Sequence, residues 1–275
     1  MGELIFIGLG LHDEQGISIR GLNEVQRVDQ IYIELYSSAM PNLSIESLER
    51  MLKRKVIQLK RTDLEENAHE VILKPAKNHR VALLVPGDPL VATTHLNLRV
   101  SAEKIGIKTR VIHGASIASA APGLAGLQNY KFGRSVTIPF PEASHLSETP
   151  YDVIRENQRL GLHTLIFLDI RAEENRYMVL RDACEILLAI EKKRKEGVFT
   201  ENTVAIGVAR AGSDNPIVRA GYIRELVKFN FGGPPHTLIV PGKLHFMEAE
   251  ALVTLAGAPR TVLGEKHDGR GKRTS

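Results

Sequence analysis

The sequence predicts an α/β protein built as two α/β domains, and three observations carry that prediction. Short apolar runs of strand length alternate with amphipathic stretches of helical period, the pattern of sheets flanked by helices. The run Val81–Val85 is apolar at every position, as a central parallel strand buried on both faces requires. After Lys131-Phe132-Gly133 the alternation changes character, and residues 139–150, rich in proline, serine and glutamate, read as a linker or long loop. An N-terminal α/β domain is therefore expected over 1–133 and a C-terminal one over 134–264. Residues 265–275 form a basic tail with Lys266, Arg270, Lys272 and Arg273, expected to be a flexible, solvated terminus.

The elements follow in order. Leu4 to Ile7 is the first strand. Ser18 has the chemistry of an N-cap for a helix with Ile19, Leu22, Val25 and Val28 on one face. Ile31 to Leu35 is a second strand, and Ser44 caps a short helix carrying Leu48 and Leu52. After a strand at Val56 to Leu59, Thr62 and Glu65 have capping-box spacing and open a helix that should end near Pro75. The fourth strand, Val81 to Val85, runs into Pro86-Gly87-Asp88-Pro89. A helix from Thr94 to Ile105 leads to the strand Thr109 to Ile112, and a short helix of small residues spans Ser116 to Ala121. Beyond the boundary, strands are expected at Val136 to Ile138, Leu165 to Leu168, Val204 to Ala209 and Thr237 to Val240. The longest helix runs from Tyr177 to Glu196, with Leu180, Ala183, Leu187 and Ile190 inward. The cations 192–195 complement its dipole, and Gly197 ends it. The sheet is expected to be mostly parallel.

Composition narrows the function classes. With 43% hydrophobic residues in 275, the chain can bury a large core. A single cysteine, Cys184, excludes an internal disulfide and fits a reducing, cytoplasmic setting; its apolar neighbours make it a packing residue. No run of 18 apolar residues exists, so no membrane span is expected, and the N-terminus reads as a strand rather than a signal peptide. The net charge of +4 is mild, aromatics are only 5%, and no basic stripe is interleaved with them, so direct nucleic-acid binding is not expected. No histidine or cysteine grouping has metal-ligand spacing, so no metal is expected. Without a Walker motif, a nucleophile elbow or a cysteine–histidine pair, nucleophilic catalysis has no support. Cofactor-driven group transfer remains.

Several strand ends carry candidate binding loops. Gly8-Leu9-Gly10-Leu11-His12-Asp13 lets backbone approach a ligand but lacks the third glycine of a dinucleotide fingerprint; a tight turn accounts for it equally well. Pro86-Gly87-Asp88-Pro89 stands where open α/β sheets bind ligands. Two prolines make it rigid and aim one carboxylate, suited to ribose hydroxyls or an ammonium; a plain turn with Asp88 capping the next helix is the alternative. Ala209-Arg210-Ala211-Gly212-Ser213 leaves room for a bulky ligand, or else is a turn with Arg210 exposed.

Taken in order, these segments resemble the diphthine synthase branch of the tetrapyrrole methylases. The blocks that carry the resemblance include Phe6 to Leu11, Pro86 to His95, Ile112-His113 with Ser116-Ile117, Tyr130 to Gly133, Gly161 to Leu165, Phe167 to Ile170, Ala209 to Ser213 and Pro241 to His245. The resemblance implies two α/β domains with S-adenosylmethionine in the cleft between them, and a homodimer. By matching motif it implies cofactor contacts at Leu11, Asp88, Val91, Ser116, Ile117, Leu168, Ala211 and His236. It further implies repeated methylation of the amino group on a 3-amino-3-carboxypropyl chain borne by a histidine of elongation factor 2. No catalytic side chain is assigned. Tyr36, Ser37 and Ser38, at the end of the second strand, are candidates for the protein-substrate side. The wider class also holds methylases of tetrapyrrole-like small molecules, which share fold and cofactor.

Overall fold

The computed structural model describes residues 2–38, 40–142 and 145–264. The basic tail, 265–275, lies outside the described residues. The first half comprises β1 (Glu3–Gly8), α1 (Ile19–Val25), β2 (Gln30–Glu34), α2 (Ile45–Leu52), β3 (Ile57–Leu59), α3 (Arg61–Glu65), α4 (Lys74–Ala76), β4 (Arg80–Val85), α5 (His95–Lys104), β5 (Lys108–Ile112) and α6 (Ile117–Ala125). Its five strands pair in parallel in the order β3-β2-β4-β1-β5. Strand period 2 sorts β1 between two cores. Ile5 and Ile7 pack with Val25, Leu48 and Leu52 of α1 and α2; Leu4 and Phe6 pack with Leu64, Ala76, Leu98 and Ala102 of α3 to α5. Helices thus cover both faces, and the chain leaves the neighbouring strands β1 and β4 toward opposite faces. That divergence opens a crevice at their C-terminal ends.

The second half comprises β6 (Val136–Ile138), α7 (Thr149–Arg159), β7 (Thr164–Leu168), β8 (Ile170–Arg171), β9 (Arg176–Tyr177), α8 (Leu180–Arg194), β10 (Val204–Ala209), β11 (Ile217–Tyr222), α9 (Ile223–Leu226), β12 (His236–Val240) and α10 (Phe246–Ala256). Its sheet runs β11-β10-β12-β7-β6. Only the β6–β7 pair is parallel; the other three pairs are antiparallel, so "mostly parallel" holds for the first sheet alone. The short connection from β10 to β11 explains one of these pairs, since parallel partners need a long crossover. Helices α7 and α8 cover one face. The other is covered by α10 and by Ala121 and Ala125 of α6. We propose the division into 1–133 and 134–264 on sheet membership; α6 belongs to the first segment but packs on the second sheet.

The N-caps expected at Ser18 and Ser44 are present, and Ser116, expected as the first residue of its helix, caps it instead. Ser18, Ser44 and Ser116 each accept a backbone amide at a helix start. Other expectations are corrected. Helix α1 ends at Val25, and Ile19 is exposed while Gly21 and Glu24 face inward, because Glu24 pairs with Arg80 and Arg110. The helix after β3 starts at Arg61, one residue before Thr62; the Asp63 carboxylate accepts the Lys60 amide, and Glu65 plays no capping part. Helical structure breaks after Glu65, resumes by His69 and ends at Ala76, beside Pro75 as expected. Helix α6 runs past Pro122 to Ala125. The Ala118 carbonyl that the proline leaves without an amide donor accepts instead from the Asn129 side chain at 3.4 Å. Helix α8 is closed by Lys195 in the left-handed region, not by Gly197. Among the described residues no helix is long and apolar enough to cross a membrane.

Candidate active site in the inter-sheet cleft

The strand-end loops of both sheets meet around a cleft of about 430 Å³. Close backbone packing builds its floor. Gly10 and Gly87, both at positive φ, exchange backbone hydrogen bonds, at 2.7 Å and 3.2 Å. A Cβ on Gly114 would sit 2.4 Å from the Gly87 carbonyl oxygen and one on Gly8 would sit 2.6 Å from it, so the tips of β1 and β5 reach β4 this closely only because Gly8 and Gly114 carry no side chain. A Cβ on Gly212 would lie 2.5 Å from the Leu11 Cβ, which is where the second half docks on the first loop.

All eight residues singled out from sequence line this one cleft: Leu11, Asp88, Val91, Ser116, Ile117, Leu168, Ala211 and His236. Asp88 is buried. Its Oδ1 accepts the Leu90 amide at 3.0 Å and its Oδ2 lies 2.7 Å from Nδ1 of His113. The carboxylate is therefore held in one orientation, with lone pairs left over for a ligand. His236 accepts the Leu180 amide at Nδ1 and donates from Nε2 to the Gly233 carbonyl. Burial lowers its pKa, so it is a neutral wall of the cleft. Arg210 is not an exposed turn residue; its guanidinium donates to the carbonyls of Phe231 and Gly233 and ties down the loop before β12.

On the other side, Glu34 is fully buried at the end of β2. Its carboxylate accepts the amides of Tyr36 and Ser37, at 3.1 and 3.0 Å, and pairs with Nε2 of His95 at 3.0 Å. This network sets the turn that brings Tyr36, Ser37 and Ser38 to the cleft wall. Sequence reasoning missed Arg61, Glu65 and Asp169, which also line it. Arg61 and Glu65 follow a strand end, so the rule that exposed Asp88 would have exposed them. Asp169 accepts the amides of Phe140 and Ile170, which fixes the loop after β7.

Residues 3–227 match the family model of the tetrapyrrole (corrin/porphyrin) methylases. The chain is 52% identical over 261 residues to the diphthine synthase of Methanosarcina barkeri, covering 93% of this chain and 97% of that one. It is 46% identical over 260 residues to the diphthine synthase of Methanosphaera stadtmanae, covering 94% and 98%. The chain belongs to the diphthine synthase family. A crystal structure of diphthine synthase superposes with a TM-score of 0.86 at 42% identity, covering 94% of this chain and 98% of that one. As a member of the diphthine synthase family, the chain is a methyltransferase of diphthamide biosynthesis with the tetrapyrrole methylase fold.

Proposed function

We propose that this chain transfers methyl groups from S-adenosylmethionine, successively, to the amino group of the 3-amino-3-carboxypropyl chain on a histidine of elongation factor 2. It does so as a cytoplasmic homodimer. The observation that carries the reading is the convergence of eight strand-end residues, from both halves of the chain, on one cleft.

The cleft suits such a donor. Its volume of about 430 Å³ lies in the range of small-molecule sites. Its wall is largely apolar (Leu11, Val91, Ile117, Leu168, Ala211), and the oriented Asp88 carboxylate supplies acceptors for ribose hydroxyls or an ammonium. The backbone at Gly10 and Gly87 leaves no side chain between the floor and a bound group. When bound, the sulfonium supplies an activated methyl group. The chain's own residues then orient and exclude water. Leu11 and Ala211 line the cleft from opposite halves, and the neutral His236 adds no charge to oppose a cation. Holding donor and amine in line supports about 7–11 kcal/mol of barrier lowering; the amine must also give up its extra proton before each transfer, and that proton passes to water, so no side chain is assigned as an obligatory base.

The test is incubation with labelled cofactor and elongation factor 2 bearing the aminocarboxypropyl-histidine, with mass read-out of each step. Mass gains of one methyl at a time on that residue support the reading. Methylation of a corrinoid precursor with none of the factor overturns it.

A further inference from the structure

A second pocket of about 200 Å³ opens beside the main cleft, and Tyr36, Arg61 and Ile170 line both. Arg171 lines only the smaller one, together with Glu173 and Glu174. Arg61 comes from the first half, at the start of α3; Arg171 comes from the second, on the two-residue strand β8.

Both arginines stand where a structural cation gains little. Arg61 opens a helix, the end at which the backbone dipole favours anions. Its partner Glu65, at 3.3 Å, is a half-exposed i,i+4 pair in the weaker cation-first order. Arg171 is directly opposite Arg176 across the β8–β9 pair, and like charges so placed repel. The repulsion is tolerated because both guanidiniums lie over the Phe140 ring, at 5.6 and 3.9 Å from its centroid. The nearest Arg171–Glu174 approach is 3.7 Å, too long for a good hydrogen bond. Tyr36, nine-tenths buried, lines the same pocket. Arg61 lies over its ring at 5.6 Å. A pocket with two weakly paired guanidiniums beside a methyl-transfer cleft fits an anionic group carried next to the reacting atom.

We propose that Arg61 and Arg171 form a carboxylate subsite. It grips the carboxylate of the 3-amino-3-carboxypropyl chain and so aims the neighbouring amine into the main cleft. This rests on the substrate reading given above. The carboxyl and amino groups share one carbon, so a guanidinium in the side pocket and a methyl donor in the main cleft engage the two together. Guanidinium–carboxylate recognition is geometrically specific, so the subsite also selects against chains that carry an amine alone. Because the arginines come from opposite halves, the subsite is complete only when both sheets are docked.

The experiment uses full-length wild type, Arg171→Gln, Arg61→Gln and Arg171→Lys, with the aminocarboxypropyl-bearing factor as substrate. Each glutamine variant is expected to raise KM for the factor roughly ten- to hundredfold, the loss expected for a charged hydrogen bond. Arg171→Lys should recover part of it. Affinity of the Arg171 variants for S-adenosylhomocysteine, measured by calorimetry, should stay within about twofold, because Arg171 lines only the smaller pocket; this shows that the cleft is folded. A wild type that methylates the factor beside an Arg171→Gln variant with unchanged KM overturns the subsite alone. A wild type that leaves the factor unmodified overturns the substrate reading and the subsite with it.

Discussion

Nδ1 of His113 lies 2.7 Å from Oδ2 of Asp88, a bond that joins the tips of β5 and β4 across the end of β1. His113 is largely exposed and Asp88 is not, so the histidine acts as an outer brace for a buried carboxylate. Asp88→Ala should weaken cofactor binding by roughly ten- to hundredfold in calorimetry, the range for a lost charged hydrogen bond. His113→Ala should cost only severalfold, because the Leu90 amide still orients Oδ1. Unchanged affinity in Asp88→Ala would remove it from the site.

Gly114→Ala tests the glycine floor. The new methyl meets the Gly87 carbonyl oxygen at 2.4 Å and the Gly10 nitrogen at 2.9 Å, all backbone atoms that cannot rotate away. A loss of about 1–3 kcal/mol in urea unfolding is expected, with weaker cofactor binding. A variant of wild-type stability and affinity would show that the three tips are not held in contact.

Glu248 staples the far end of the second sheet. Its carboxylate accepts the amides of Gln128 and His245 and pairs with Lys131 and His163, and the residue is 1% exposed. Burial pushes this carboxyl up, but the His245 amide, the Lys131 ammonium and the other partners outweigh it and hold it down to about 2. A carboxyl depressed by folding contributes stability that is complete above its unfolded value, about 4.3, and is lost as pH falls through the folded value. Wild type should therefore lose stability between about pH 4.3 and 2, and Glu248→Gln should show a flatter profile there. At neutral pH, Glu248→Ala should cost about 3–5 kcal/mol because Lys131 and His163 lose their partner.

Cys184 is fully buried in the core of the second half, and burial pushes its thiol up to about 12. In native protein it should resist thiol reagents at neutral pH and react on unfolding. Cys184→Ala should retain methyl transfer and lose about 1 kcal/mol of stability. A folded but inactive Cys184→Ala enzyme would contradict a purely packing role.

What was legible in the sequence has a local cause. Ser18 and Ser44 declare helix starts because capping is a contact two or three residues long. Val81–Val85 declares a central strand because burial on both faces leaves no polar position. The eight cleft residues were found because the family's motifs fall at strand ends, and five of them lie where the parallel first sheet places its loops. Helix α7 was hidden because its opening Thr149-Pro150 closes a proline-rich stretch, although proline is welcome in a first helical turn. Helix α10 was hidden because Phe246, Met247 and Leu255 are exposed while Leu252 and Ala256 are buried, which leaves no apolar face to read.

Only the tertiary structure decided the rest. Whether β10 pairs with parallel or antiparallel partners depends on which strands lie beside it, and no residue of β10 states that. Glu24 faces inward because Arg80 and Arg110, distant in the chain, meet it there. Arg61 and Arg171 are 110 positions apart and line one pocket only because two separately wound sheets dock at their strand ends. Local chemistry dictates caps, strands and loops within a few residues of the groups responsible. Contacts between distant segments exist only after the chain has paid the entropy of bringing them together, so their partners cannot be read one segment at a time.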